Sequence, residues 1–159
     1  MKIVVVGTRG IPDIQGGVET HCEELYPRLA AMGHDVTVVR RSCYVTPQNK
    51  IKEYKGVHLK DIYAPRRKSI EAIVHTFLAI IYARWVGADV LHIHAIGPAL
   101  LTPLARLLGL RVVMTHHGPD YDRQKWNKTA KSVLRWGERM GTNYANEVIV
   151  ISTVIDNIL

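Results

Sequence analysis

Cysteine is scarce: Cys22 and Cys43 are the only two in 159 residues. Neither has the C-x-x-C spacing of a metal or redox pair, which sets aside a disulfide scaffold and fits a reducing compartment. No apolar run is long enough for a membrane span. The longest, from Phe77 to Tyr82 and on through Trp85-Val86-Gly87-Ala88, is interrupted by Arg84 and flanked by His75. A signal peptide is missing too, because Met1-Lys2 passes straight into β-branched residues without a cleavage site. The three tryptophans and seven tyrosines form no basic-aromatic pattern on predicted strands, so no nucleic-acid partner is expected. Acidic residues are few, 14 against 21 lysines and arginines, for a formal net charge of +7. That balance points to an anionic partner, acidic lipid or a phosphorylated ligand. The remaining composition, 47% hydrophobic and 22% charged, is that of one globular domain with a real core.

The most informative stretch runs from Gly7 to Glu19. Before it, Lys2 to Val6 is a β-branched run suited to a strand buried on both faces of a parallel sheet. After it, Val18, Cys22, Leu25, Leu29 and Met32 recur at helical spacing. Between them Gly7, Gly10, Gly16 and Gly17 allow close backbone approach to a ligand, and the helix start offers unpaired N–H groups to an anion. The spacing matches neither G-x-G-x-x-G nor the P-loop pattern.

Farther on, Gly33 closes the first helix and Val36 to Val39 forms a second strand. The polar segment from Arg40 to Lys55 reads as loop with at most a short strand, and Val57 to Tyr63 as strand. A basic turn, Arg66-Arg67-Lys68-Ser69, leads into a helix from Ile70 to about Trp85. Ala88 to His94 is a strand, Gly97 to Leu108 a helix containing Pro98 and Pro103, and Arg111 to Thr115 a further buried strand. A basic helix from Lys125 to Asn143 and a strand from Glu147 to Ile151 follow. Ser152-Thr153 caps a helix that has barely begun at Leu159, so the strand-helix series is expected to continue into a partner domain.

His92 and His94 share one strand face at period two. They could ligate a metal, but His116 and His117 come from a different loop and no carboxylate is fixed nearby, so no metal site is expected. Thr115 to Tyr121, with doubled histidine, glycine and Asp120, falls on the carboxyl edge of the sheet, where open α/β folds build their sites.

Gly7-Thr8-Arg9-Gly10-Ile11-Pro12, Gly16-Gly17-x-Glu19 and Gly33-His34-Asp35-Val36-Thr37-Val38 together resemble the amino-terminal domain of family 4 glycosyltransferases of the GT-B fold. The rhamnosyltransferase-like branch is the most similar. Its T-x-H-G-x-[DE]-aromatic-x-R-x-K-W loop is matched by Thr115, His117, Gly118, Asp120, Tyr121, Arg123, Lys125 and Trp126, eight positions in twelve residues.

The resemblance implies a Rossmann-like parallel sheet flanked by helices, one half of a GT-B architecture, over residues 1–159. It also implies retaining, metal-independent transfer from a nucleotide-sugar, with no cofactor, to a glycan or lipid-linked acceptor. The donor-binding carboxyl-terminal domain, with its E-x7-E motif, is absent from these residues, and this polypeptide alone is expected to be inactive. By the same resemblance Gly16 and Gly17 approach the donor diphosphate and His117 lies beside the transferred sugar, the catalytic position. Arg9 is a candidate for phosphate; Glu19, Asp120, Tyr121 and Arg123 are candidates for the acceptor. Tyr121 stands where the branch often has tryptophan. For a lipid-linked acceptor, Arg66, Arg67, Lys68 and the basic helix after Lys125 would rest on anionic headgroups, giving a cytoplasmic protein peripheral to the inner face of the plasma membrane. The alternative expectation is a non-catalytic basic α/β module that binds an anionic ligand.

Overall fold

A computed structural model of the chain describes residues 1–65, 70–95, 97–117 and 128–150. Among these residues seven strands form a single sheet: β1 (Lys2–Val6), β2 (Asp35–Arg41), β3 (Glu53–Tyr54), β4 (Val57–Ile62), β5 (Val90–His94), β6 (Arg111–His116) and β7 (Glu147–Val150). Their spatial order is β3-β4-β2-β1-β5-β6-β7. Every pairing is parallel except the short β3–β4 hairpin at one edge. The α-helices among the described residues, α1 (Gly17–Ala31), α2 (Glu71–Trp85), α3 (Thr102–Leu107) and α4 (Lys128–Tyr144), cover the sheet. This is the α/β, Rossmann-like parallel sheet that the strand-helix alternation predicts.

Alternation along β1 shows how the two cores arise. Ile3 and Val5 pack with Cys22 and Tyr26 of α1 and with Val36, Val38, Val57 and Leu59, while Val4 and Val6 pack with Ala79, Ile80 and Ala83 of α2 and with Leu91, Ile93, Val112 and Met114. A strand read on both sides by helices needs apolar residues at every position. The strand order reverses between β1 and β5, and crevices at such a reversal, beyond the carboxyl ends of the strands, are where open α/β sheets hold ligands.

Three expectations change. First, β2 continues through Arg40 and Arg41 instead of ending at Val39. The Arg40 side chain, almost wholly buried, donates to Asp61 from Nε (2.6 Å) and Nη2 (3.1 Å) and to the carbonyls of Asn49 and Ile51. Arg41 donates to Glu71 at 2.9 Å and to the Gly7 carbonyl at 3.1 Å. Both guanidinium groups stay buried because each has paired carboxylate and carbonyl acceptors. Second, the helix expected over 97–108 is split into a 3-10 turn (Pro98–Leu101) and α3, which carries Pro103 in its first turn. Third, the inward face of α1 is centred on Glu19, Cys22 and Tyr26, whereas Met32 is 72% exposed. Periodicity counted apolar residues, but two inward positions carry polar atoms that find partners, Glu19 in the loop after β1 and Tyr26 on β5. Among the described residues no helix is long and apolar enough to cross a membrane.

Candidate active site

The glycine-rich loop leaves β1 at the strand-order reversal. Gly7 has φ of +96°, and a Cβ there would lie 2.3 Å from the His94 carbonyl oxygen, so the loop passes against the end of β5 only because this residue is glycine. Glu19 is 6% exposed and accepts from the Thr8 hydroxyl at 2.8 Å and from the Arg9 backbone N–H at 3.2 Å. Its carboxylate braces the loop from beneath. Above it, Gly16 at φ of +146° begins α1 without a side-chain cap, and nothing lies within 4 Å of where a Gly17 Cβ would be. The first N–H groups and positive dipole end of α1 therefore take no side-chain cap, although the Glu19 carboxylate lies against Gly16 at the same helix start; an anion could accept from those N–H groups. Arg9 is exposed, its guanidinium 5.0 Å from the centre of the Tyr44 ring.

Beneath this helix start lies a cluster of histidines. His92 and His94 occupy the face of β5 that looks toward α1, their rings stacked with centroids 4.2 Å apart. Tyr26 of α1 places its hydroxyl between His92 Nδ1, at 2.6 Å, and His94 Nε2. His92 Nε2 meets the Thr115 hydroxyl on β6 at 2.6 Å, and His94 Nδ1 meets His117 Nε2 at 2.8 Å. The result is one hydrogen-bonded chain, Thr115–His92–Tyr26–His94–His117, leading from the sheet to the carboxyl edge. His21, on the turn of α1 after Gly17, sets its ring edge-on to His117 with centroids 5.1 Å apart. On the opposite face of β6, His116 pairs with Glu138 of α4 at 2.6 Å.

Burial keeps His92, His94 and His117 neutral. It lowers His92 to about 4, helped by the nearby His21 and His117 rings, and His94 well below its ordinary value. His117, half-buried, is also lowered to about 4 by burial and then by His21 and His116. A neutral imidazole has one donor and one acceptor, so each link runs in a fixed sense: if His94 donates to His117, the outer nitrogen of His117 is a donor. Such a group can hydrogen-bond a sugar hydroxyl.

Of the residues singled out in the sequence, Gly16, Gly17, Arg9, Glu19 and His117 all fall on this edge. Glu19 engages its own loop. Asp120, Tyr121, Arg123, Arg66, Arg67 and Lys68 lie outside the described residues. The sequence expectation separates the two histidine pairs; instead β5 and β6 are neighbours in register, with His94 paired to Thr115, and this brings His117 onto His94. Sequence reasoning missed His21 and Tyr26. The available signal was their helical placement after Gly17, four and nine residues on, which puts His21 on the same side of α1 as the loop.

Known proteins extend this picture. No curated protein sequence matches the chain. Among solved structures, the chain is similar to sucrose-phosphate synthase from Thermosynechococcus elongatus, with 20% identity and a TM-score of 0.75 over 98% of this chain and 43% of that one. It thus spans less than half the length of that enzyme, whose fold it shares. A UDP-galactose 4-epimerase aligns at 18% identity with a TM-score of 0.40, over 73% of this chain and 55% of that one. The family model described as Glycosyltransferase Family 4 matches residues 15–159, and the chain belongs to that family.

Proposed function

We propose that this chain is the amino-terminal, acceptor-side wall of a GT-B glycosyltransferase of the rhamnosyltransferase-like branch. It acts with a carboxyl-terminal donor-binding domain to move a sugar, with retention and without metal or cofactor, from a nucleotide-sugar to a glycan or lipid-linked acceptor of cell-envelope polysaccharide. The single observation that carries this reading is the residue that links two features. The uncapped start of α1 at Gly17 and the ring of His117 are joined through His21, one helical turn from Gly17 and 5.1 Å from His117 between ring centres. A diphosphate on the helix start thus leaves its attached sugar within reach of His117.

Transfer builds positive charge on the sugar ring and negative charge on the departing diphosphate. The N–H groups at Gly16 and Gly17, with Arg9 at the rim, meet the phosphate charge. His117, held neutral, hydrogen-bonds a sugar hydroxyl and takes no proton. Glu19 keeps the loop in place, and the acceptor-binding roles fall to Asp120, Tyr121 and Arg123. Family membership favours a transferase over a non-catalytic binding module. For a lipid-linked acceptor the domain would rest on the inner face of the plasma membrane through Arg66, Arg67 and Lys68. Support comes from the helix that follows them, where Phe77, Ile81 and Trp85 are 45%, 46% and 83% exposed at spacings of four.

The test is transfer from a panel of nucleotide-sugars by the full chain carrying its second domain, with wild type beside His117→Ala. Donor-dependent transfer that falls about a hundredfold in the variant is the expected outcome. A folded protein that neither transfers nor hydrolyses any donor in a broad panel would overturn it.

A further inference from the structure

We infer that His21, His94 and His117 form a binding site for a borderline transition cation such as Zn²⁺ or Co²⁺. Each residue offers one ring nitrogen, and these nitrogens lie within 4.8 Å of one another. The rings are also placed as ligands of one ion would be. Imidazoles bound to a single tetrahedral metal at about 2.0–2.1 Å have ring centres about 5 Å apart. Here the centroid separations are 5.1 Å for His21–His117, 5.1 Å for His94–His117 and 5.8 Å for His21–His94.

The hydrogen bonds around the triangle suit a metal as well. Only one proton can lie between His94 Nδ1 and His117 Nε2, 2.8 Å apart, so one of the two nitrogens already presents a lone pair. A cation takes both lone pairs when the chain runs in the other sense and the two nitrogens part from their hydrogen bond to the roughly 3.3 Å set by bonds of about 2.0–2.1 Å at a tetrahedral angle. His94 Nε2–H then donates to Tyr26, the Tyr26 hydroxyl donates to His92 Nδ1, and His92 Nε2–H donates to the Thr115 hydroxyl, through the contacts already present. No buried ring nitrogen in that chain loses its partner. Metal-bound histidines characteristically donate their other ring N–H in this way. Imidazole sets of this kind suit zinc and its neighbours, and three protein ligands leave a fourth position open. His117 and His21 are half-buried, so the open position faces the carboxyl edge.

The binding site stands on geometry alone; its consequence rests on the glycosyltransferase reading. A cation held by His117 removes that ring from the sugar, so the filled site inhibits transfer and the free site permits it.

Co²⁺ titration of the full chain, without a histidine tag, tests the site directly. One equivalent should bind and give the visible absorption of a tetrahedral nitrogen-ligated ion, with Zn²⁺ displacing it. His21→Ala should lower affinity more than the ~10–100-fold typical of changes outside the ligand set, with His117→Asn as the second variant should the first not fold; Tyr26→Phe should fall within that range. Absence of saturable uptake by wild type, or uptake unchanged in a folded ligand variant, overturns the proposal. Transfer activity measured in parallel separates the two readings. Intact Co²⁺ binding in a chain with no transferase activity sinks the glycosyltransferase reading alone, whereas active enzyme without Co²⁺ binding sinks the metal site alone.

Discussion

On one face of β5, Leu91 and Ile93 are wholly buried among Val4, Ala79, Ile80 and Met114. On the other face His92 and His94 are nearly as deeply buried, at 6% and 0% exposure, yet their neighbours are Tyr26, Thr115 and His117. The same strand serves packing on one side and directional bonding on the other. Apolar contacts tolerate rearrangement, but a buried polar chain holds only while every member keeps its partner. The difference separates what stabilises the domain from what aims His117.

Four substitutions or conditions probe that contrast, in decreasing order of expected effect on stability. Leu91→Ala removes a fully buried side chain from the apolar face and should cost about 2–5 kcal/mol in urea unfolding. Transfer per folded molecule should be nearly unchanged; a comparable loss of rate would mean that the two faces are not separable. Tyr26→Phe keeps the ring but strips the hydroxyl from His92 and His94, for a cost of about 1–3 kcal/mol. Its larger signature should be kinetic, a drop in kcat out of proportion to its modest loss of stability.

Acid provides the third. His75 on α2 is buried on the apolar side, with Nε2 donating to the Arg40 carbonyl at 3.0 Å. Burial and the Arg41 guanidinium lower it to about 4 from 6.5. Its folded value is depressed, so its neutral-form stability is complete above pH 6.5, where neither state is protonated. It is lost as pH falls toward 4, because the unfolded chain binds a proton that the folded chain refuses. The slope is at most ~1.4 kcal/mol per pH unit for this one group. His75→Gln, which keeps a donor for Arg40, should shed that part of the acid slope; an identical slope would assign it elsewhere. Smallest is Thr115→Val, which removes the terminal hydroxyl of the chain and should cost about 1 kcal/mol by thermal unfolding. A neutral result there would show that the chain is anchored at Tyr26 instead of Thr115.

Much of the fold was legible because the sheet is buried on both faces, and runs such as Lys2 to Val6 and Arg111 to Thr115 admit few alternatives. The extension of β2 was not, since Arg40 and Arg41 look like loop residues until Asp61 and Glu71, 21 and 30 positions away from them respectively, arrive to pair with them. The candidate site divides in the same manner. Gly16, Gly17 and His117 are local signals in a loop. His21 and Tyr26 acquire meaning only when α1 lies across β5, and no spacing along the chain encodes that crossing. Periodicity even misled, by ranking Met32 above Tyr26 on the inner face of α1. Polar residues that face inward are recognised by their partners, and those partners lie on other strands.

The central claim is that the histidine edge aims a catalytic imidazole and does not merely fill space. Its most direct measurement is the His117→Ala variant of the full chain, with nucleotide-sugar transfer and urea midpoint determined on the same preparation. The account predicts transfer lower by about a hundredfold, with a fall in midpoint no larger than that of Tyr26→Phe, because His94 Nδ1 loses its partner at the half-buried end of the chain. Unchanged transfer accompanied by a clearly lowered midpoint would contradict it and return His117 to the packing side of the comparison.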